Sequence, residues 1–461
     1  MNGEVRPLLR RRGGRSLPSS LRWLALSAFG AALFGLIVFN YGFQMIRFPP
    51  SGAGVPLMEI LMFVAAPFVL SRTVMRDFSR SSVFVPLCLW IIIGGARVMS
   101  SLPEFGMKAV RDGLPVLESI FLVFGFAMAS QKDVIKSYLR YLPILVFTVF
   151  GYALLAPFSS QLVPLSPTLP STQGIPVPIF FLFGNSPTIL IPAAAFLWVR
   201  GNATEQQAIW LPAIFVGVAL VLFPSRSLLL QIVSMLAVLS IVGGKDQVRS
   251  FVSVIGIGFL ALAGIFLLSY FGVKVVGRLG AMSPEDYFRL IREIMIWENF
   301  ERGTTLSSGG SERIDWWLDI INTGLSSVQN FVFGVGYGEP LMEGVFHGGK
   351  ITREPHNSWI SVFGRSGIFG LFAFTYLCFA IVRLGLSQLR QRVDSVLFGP
   401  FVVFCFMVVV CTLVLGLGET PFVMPFTTIP FYFCAGILAR MAQVRSSKVP
   451  SIRDTASPRD G

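Results

Sequence analysis

The chain holds only two histidines, His347 and His356. The second stands in REPHNSWISVFGRSGIFG, residues 353–370, where a polar segment gives way to a long apolar one. Near its unperturbed pKa, an imidazole at such a boundary takes a proton from a hydroxyl as general base. Asn357 can fix its orientation. The competing reading is structural, with His356 and Asn357 capping the helix that follows.

Three further groups carry chemistry. Arg226, in FPSRS at 223–227, has no acidic neighbour and opens an apolar run just after Ser225. Its guanidinium either snorkels to headgroup phosphate or clamps a specific phosphate with its planar fork. Arg313 precedes Trp316 and Trp317 by three and four residues, so on a helix the indoles hold its stem. An ion pair with Glu312, Asp315 or Asp319 is the alternative there. Gly334-Val-Gly-Tyr-Gly338 allows a sharp turn or close approach of backbone to a ligand. It is not a potassium filter: no Thr precedes it and the surrounding loop is too long.

The sequence shows no Asp-x-Asp pair in the long polar segment, no His/Cys metal spacing and no phosphate-binding glycine loop with Lys. Metal-independent chemistry, with arginines supplying positive charge, is the simplest expectation, and no cofactor is implied. Glu59, Glu118 and Arg365 fall inside apolar runs and are expected to face a protein interior, with their roles open. Arg97, Lys108 and Arg111 are expected in an outer loop, either as interface anchors or beside the access path of an anionic lipid.

These groups need elements to hold them, and the composition says which. Of 461 residues, 54% are hydrophobic and 13% charged, against roughly 25% charged in soluble domains. Apolar runs long enough to span a bilayer recur, predicting an all-α polytopic membrane bundle of about twelve spans. They are expected at 22–42, 55–71, 83–99, 112–130, 138–158, 177–199, 208–224, 226–243, 250–272, 357–382, 397–417 and 421–440. The sixth is interrupted by Gly184-Asn-Ser-Pro187 and reads as a broken helix. The five cysteines all lie in apolar runs, as small buried hydrophobes.

The net charge of +13 is distributed as orientation signal, not as a nucleic-acid surface. Arg6, Arg10–Arg12, Arg15 and Arg22 precede the first span. Arg72, Arg76 and Arg80, then Lys132, Lys136 and Arg140, then Arg383, Arg390 and Arg392 follow on the same expected side. Both termini are therefore expected in the cytoplasm. The chain divides into a basic N-terminus (1–21), spans one to nine (22–272), a large outer loop (273–356), spans ten to twelve (357–440) and a disordered tail (441–461). In the loop, Ser283-Pro-Glu-Asp286 opens one helix, with an apolar face from Tyr287 to Trp297. A second starts at Ser311 and runs to Gly324.

In order and spacing, Ser225-Arg226, Arg313 with Trp317, Gly334-Val335-Gly336 and His356-Asn357, followed by Gly367 and Gly370, resemble the O-antigen ligase/polymerase superfamily. The resemblance is close over about residues 220–375 and topological elsewhere. It implies a GT-C-like membrane glycosyltransferase at the periplasmic face of the bacterial inner membrane. Its donor would be an undecaprenyl-pyrophosphate-linked glycan, and its acceptor the hydroxyl of a glycan or of lipid A core. His356, Arg226 and Arg313 would be catalytic, with Ser225, Trp317, Gly336, Arg353 and Asn357 contacting substrate. An O-antigen or exopolysaccharide polymerase is the first expectation, a ligase the second, and a lipid-linked glycan flippase the rival from another class. Membrane lipids and a chain-length regulator are the further partners such an enzyme leaves open.

Overall fold

The computed structural model describes residues 19–49, 54–170, 176–183, 186–203, 210–223, 225–242, 308–342, 354–390 and 398–446. It also describes short strand pairs within 275–282 and 344–352, and isolated positions between 252 and 267. The helix expected at 283–298, most of the ninth span, Arg353, His347 and the chain beyond Ser446 lie outside these residues.

The described chain is helical, as long apolar runs without backbone partners from elsewhere require. The first half comprises α1 (Ser19–Phe43), α2 (Leu57–Val69), α3 (Arg72–Ser79), α4 (Phe84–Phe105), α5 (Met107–Asp112), α6 (Leu114–Leu117), α7 (Ile120–Ala129) and α8 (Lys132–Ala153). Then follow α9 (Ser159–Leu162), α10 (Pro187–Ala203), α11 (Trp210–Leu222) and α12 (Arg226–Val242). The second half holds α13 (Ser308–Leu325), α14 (Val328–Phe333), α15 (Ser358–Arg390), α16 (Phe398–Leu415) and α17 (Pro425–Ser446).

Four of these helices are long and apolar enough to cross a bilayer, and five if α2 and α3, bent by 101°, count as one span. Shorter apolar helices occupy most of the remaining expected positions, including Leu114–Ala129, Trp210–Leu222, Arg226–Val242 and Gly399–Leu415. Several boundaries differ from expectation, as where α8 begins at Lys132 and α15 runs on to Arg390. The sixth span begins only at Pro187, because the preceding Pro176–Pro178 forms a two-stranded ribbon with Thr168–Pro170. The expected start at Ser311 moves back to Ser308. The last helix continues to Ser446, taking in residues assigned to the disordered tail.

The core is built by close approach of helices in the absence of a strong hydrophobic drive. Along α7 and α17, Gly125 lies against the backbone of Phe433, and Gly436 against that of Leu122. Phe29 of α1 inserts beside them, its ring centroid 4.6 Å from Phe124 and 5.8 Å from Phe433. Helices α10 and α16 pair similarly, and α15 packs on α4. In its first third α15 breaks at Gly367, where φ is 62° and a Cβ would strike the backbone of Val332 and Phe333.

Gly367→Ala is therefore expected to lower stability by about 2 kcal/mol or more, from left-handed strain plus overlap. Gly151→Ala in α8, where a Cβ meets nothing, should change it by less than about 1 kcal/mol. Thermal unfolding of both variants in detergent checks the contrast.

Candidate active site

At the start of α15 the backbone turns through His356 with φ 51°, a conformation uncommon for a residue with a Cβ. The turn is held from both sides. Asn357 Oδ1 accepts from the backbone N–H groups of Trp359 (3.0 Å) and Ile360 (3.2 Å), capping the helix. Its Nδ2 donates to Leu417 O at 3.1 Å, and Ser358 N donates to Gly416 O at 2.9 Å. On the other side, Trp317 Nε1 of α13 donates to Pro355 O at 2.7 Å. The capping role thus belongs to Asn357 and leaves the imidazole free of that duty.

His356 Nδ1 lies 2.8 Å from Glu419 Oε2. A carboxylate in this position accepts a hydrogen bond from Nδ1–H and so favours the neutral tautomer whose Nε2 carries the lone pair. Arg313 completes the group, donating from Nη1 to Gly418 O at 2.8 Å and approaching Glu419 Oε1 at 3.5 Å from Nη2. Among the described side chains the acid beside Arg313 is Glu419, 106 residues along the chain, while that of Glu312 lies outside them. Trp316 places its ring 6.4 Å from the imidazole. Side-chain exposures of 31% for Arg313, 24% for His356 and 23% for Glu419 leave the group reachable by solvent and substrate.

A second network lies directly behind. Arg365, 2% exposed, donates from Nη2 to Glu354 Oε1 at 2.5 Å and lies 3.4 Å from Asp112 Oδ2. Its Nη1 donates to Glu339 O (2.8 Å) and Gly336 O (3.2 Å). The glycine loop closes on the same helix, with Val335 N and Gly336 N donating to the carbonyls of Gly364 (2.8 Å) and Arg365 (3.1 Å). Positive φ angles of 71°, 105° and 103° at Gly334, Gly336 and Gly338 make this approach possible. From α4, Arg97 Nη2 donates to Gly334 O at 2.8 Å, and Ser101 Oγ accepts from Tyr337 N at 3.1 Å. Tyr337 Oη meets Ser366 Oγ at 2.8 Å. Burial pushes the Tyr337 phenol above its ordinary pKa, so it is neutral and available to hydrogen-bond Ser366.

Of the residues predicted from sequence, the structure gathers His356, Asn357, Arg313 and Trp317 in one place. Gly336 belongs to the network behind them, packed on Ser101 and Arg97. Ser225 and Arg226 stand half-buried at the N-terminus of α12, where Ser225 Oγ accepts from Leu228 N at 3.2 Å. Arg97 is not in an outer loop but within α4, and Arg111 pairs with Asp112 at 2.8 Å. Arg365 and Glu118, each 2% exposed, do face the protein interior.

Glu419 was missed by sequence reasoning. Its one signal is position: Glu419 stands in the short link between two long apolar helices, α16 and α17, on the side where His356 is expected.

Residues 211–375 match the family model described as O-antigen ligase. Over this segment the chain is similar to the O-antigen ligase family. The O-antigen ligase match takes in Arg226, Arg313, the glycine loop, His356 and Arg365, and ends before Glu419. No curated protein matches the chain. Together with the apolar helices, the match supports a membrane protein with ligase- or polymerase-type activity in O-antigen or polysaccharide synthesis.

Glu354→Gln leaves the buried Arg365 charge short of a partner and is expected to destabilise the protein by about 3 kcal/mol. Adding Arg365→Met should recover part of that loss, a coupling of about 1–3 kcal/mol. Thermal unfolding midpoints of the two single variants and the double variant measure it.

Proposed function

We propose that the protein is a glycosyltransferase that moves a lipid-pyrophosphate-linked glycan to an acceptor hydroxyl at the periplasmic face of the membrane. The observation that carries this reading is the contact of His356 Nδ1 with Glu419 beside Arg313, at the mouth of a helix bundle. In this reading about twelve spans surround the site and both termini lie in the cytoplasm. No nucleotide-activated sugar reaches that face, so the donor is carried and activated by its lipid.

The acceptor oxygen attacks the anomeric carbon and its proton passes to His356 Nε2. The bond from that carbon to the pyrophosphate oxygen breaks, and its electron pair leaves with the diphosphate. Glu419 stabilises the imidazolium that forms. Arg313, whose Nε is buried without an acceptor, and Arg226 offset the charge developing on the leaving group. Attack opposite the leaving group gives inversion. A polymerase adding repeat units is the first assignment and a ligase joining glycan to lipid A core the alternative. A chain-length regulator would bind the outer surface of the spans, and Arg353 would contact substrate beside His356.

Cells carrying His356→Ala, Arg313→Ala or Arg226→Ala at matched membrane expression test the reading by the glycan they display on a gel. Product should fall by roughly 100-fold or more in each. Accumulation of a single repeat identifies a polymerase, and of a full-length lipid-linked chain a ligase. Normal glycan from all three variants overturns the catalytic reading and brings the flippase forward.

A further inference from the structure

A cavity of about 650 Å³ opens between α1, α8, α10, α16 and α17. It is unconnected with the chemistry above. Its wall on α16 spans Phe401 to Val408. That is roughly 10–20 Å along the helix from the Leu415 end that leads to Glu419. The wall is apolar, with Phe34, Leu145, Phe404 and Phe433 among its residues. Gly30 of α1 lines it, and a Cβ there would meet nothing within 4 Å. The space is thus real and not taken up by side chains, and its size suits a long hydrocarbon chain.

Two further observations narrow the occupant. Tyr138 of α8 lines the cavity and packs edge-on against Phe433 at 5.9 Å, yet its hydroxyl is buried with no hydrogen-bond partner among the described residues. A phenol so placed needs an acceptor from whatever fills the space. At the mouth, Trp23 and Tyr141 are exposed aromatics of the kind that mark a membrane interface. There the guanidinium of Arg140 lies 5.9 Å over the Tyr141 ring. Lys132 and Lys136 share the exposed side of α8 with it, and Asp133 is the only acid of that helix. Arg22 of α1 reaches across to Gln131 at 3.0 Å.

We infer that this cavity holds one anionic diacyl glycerophospholipid. Its acyl chain fills the apolar space beside Gly30, an ester carbonyl accepts from Tyr138, and its phosphate rests by Arg140 and Lys136. With the phosphate placed at Arg140 and Lys136, a polyprenyl phosphate has no second acceptor to offer Tyr138, whereas a diacyl lipid has its ester carbonyls. The site is a binding site for membrane lipid, apart from the transfer site.

Native mass spectrometry of the full chain from detergent tests it, with added phosphatidylglycerol, phosphatidylcholine or undecaprenyl phosphate. Wild-type protein should retain one phosphatidylglycerol and prefer it to phosphatidylcholine. Gly30→Phe, whose Cβ meets nothing within 4 Å and whose ring projects into the space, should reduce retention about tenfold while the size-exclusion profile is unchanged. Tyr138→Phe, which keeps the ring packing, should weaken it about fivefold, and Arg140→Gln should remove the preference for the anionic head. Equal retention by Gly30→Phe and wild type overturns the proposal. So does undecaprenyl phosphate bound more tightly than phosphatidylglycerol and lost in Gly30→Phe.

Discussion

A guanidinium cannot be buried alone. Arg365 is 2% exposed inside a helical membrane protein, and its charge must be met by protein groups because no solvent is there to meet it. The four groups that meet it come from three places: Glu354 before α15, Asp112 at the end of α5, and the carbonyls of Gly336 and Glu339 in the loop after α14. One side chain thereby fixes the relative position of α4, α15 and the two polar connections. The three positive-φ glycines and the break at Gly367 follow from the same demand, since the loop must come within hydrogen-bond reach of a helix backbone.

The candidate active site inherits its order from this anchor. Glu354 is two residues from His356, so tying its carboxylate to Arg365 and Ser361 limits where the imidazole can go. Trp317 then fixes the intervening carbonyl of Pro355, and Asn357 fixes the first turn of α15. What remains is one strained residue, His356, delivered to Glu419. Strain of this kind, about 1–3 kcal/mol, persists where surrounding contacts over-determine it and is concentrated at functional sites. The site is thus built from two layers, a buried charge network that sets the backbone and a half-exposed one to which we assign the proposed chemistry.

Much of this was legible in the sequence. Apolar runs announce their helices because a bilayer permits little else, and α1, α4, α8 and α15 fall where those runs lie. His356-Asn357 marked a helix start, and Asn357 is the cap. The local breaks were harder to see. Pro187 begins α10 because the residues before it pair as a ribbon, a choice made by Thr168–Pro170 and not by the run itself. Least visible were partners distant in sequence. Glu419 meets His356 across 63 residues and Arg97 meets Gly334 across 237, and no local pattern encodes either. The glycine loop, read from sequence as a sharp turn or a close approach to a ligand, packs on the α15 backbone for a reason visible only once Arg365 is found beneath it.

The account rests on Glu419 acting through His356. The most direct measurement is steady-state transfer of a lipid-linked glycan by purified Glu419→Gln protein, with kcat and the donor KM obtained separately. An orienting carboxylate predicts kcat lower by about 100-fold, a donor KM within about threefold of wild type, and partial recovery of kcat in Glu419→Asp. Wild-type kcat in Glu419→Gln, or a loss confined to donor KM, would contradict the account.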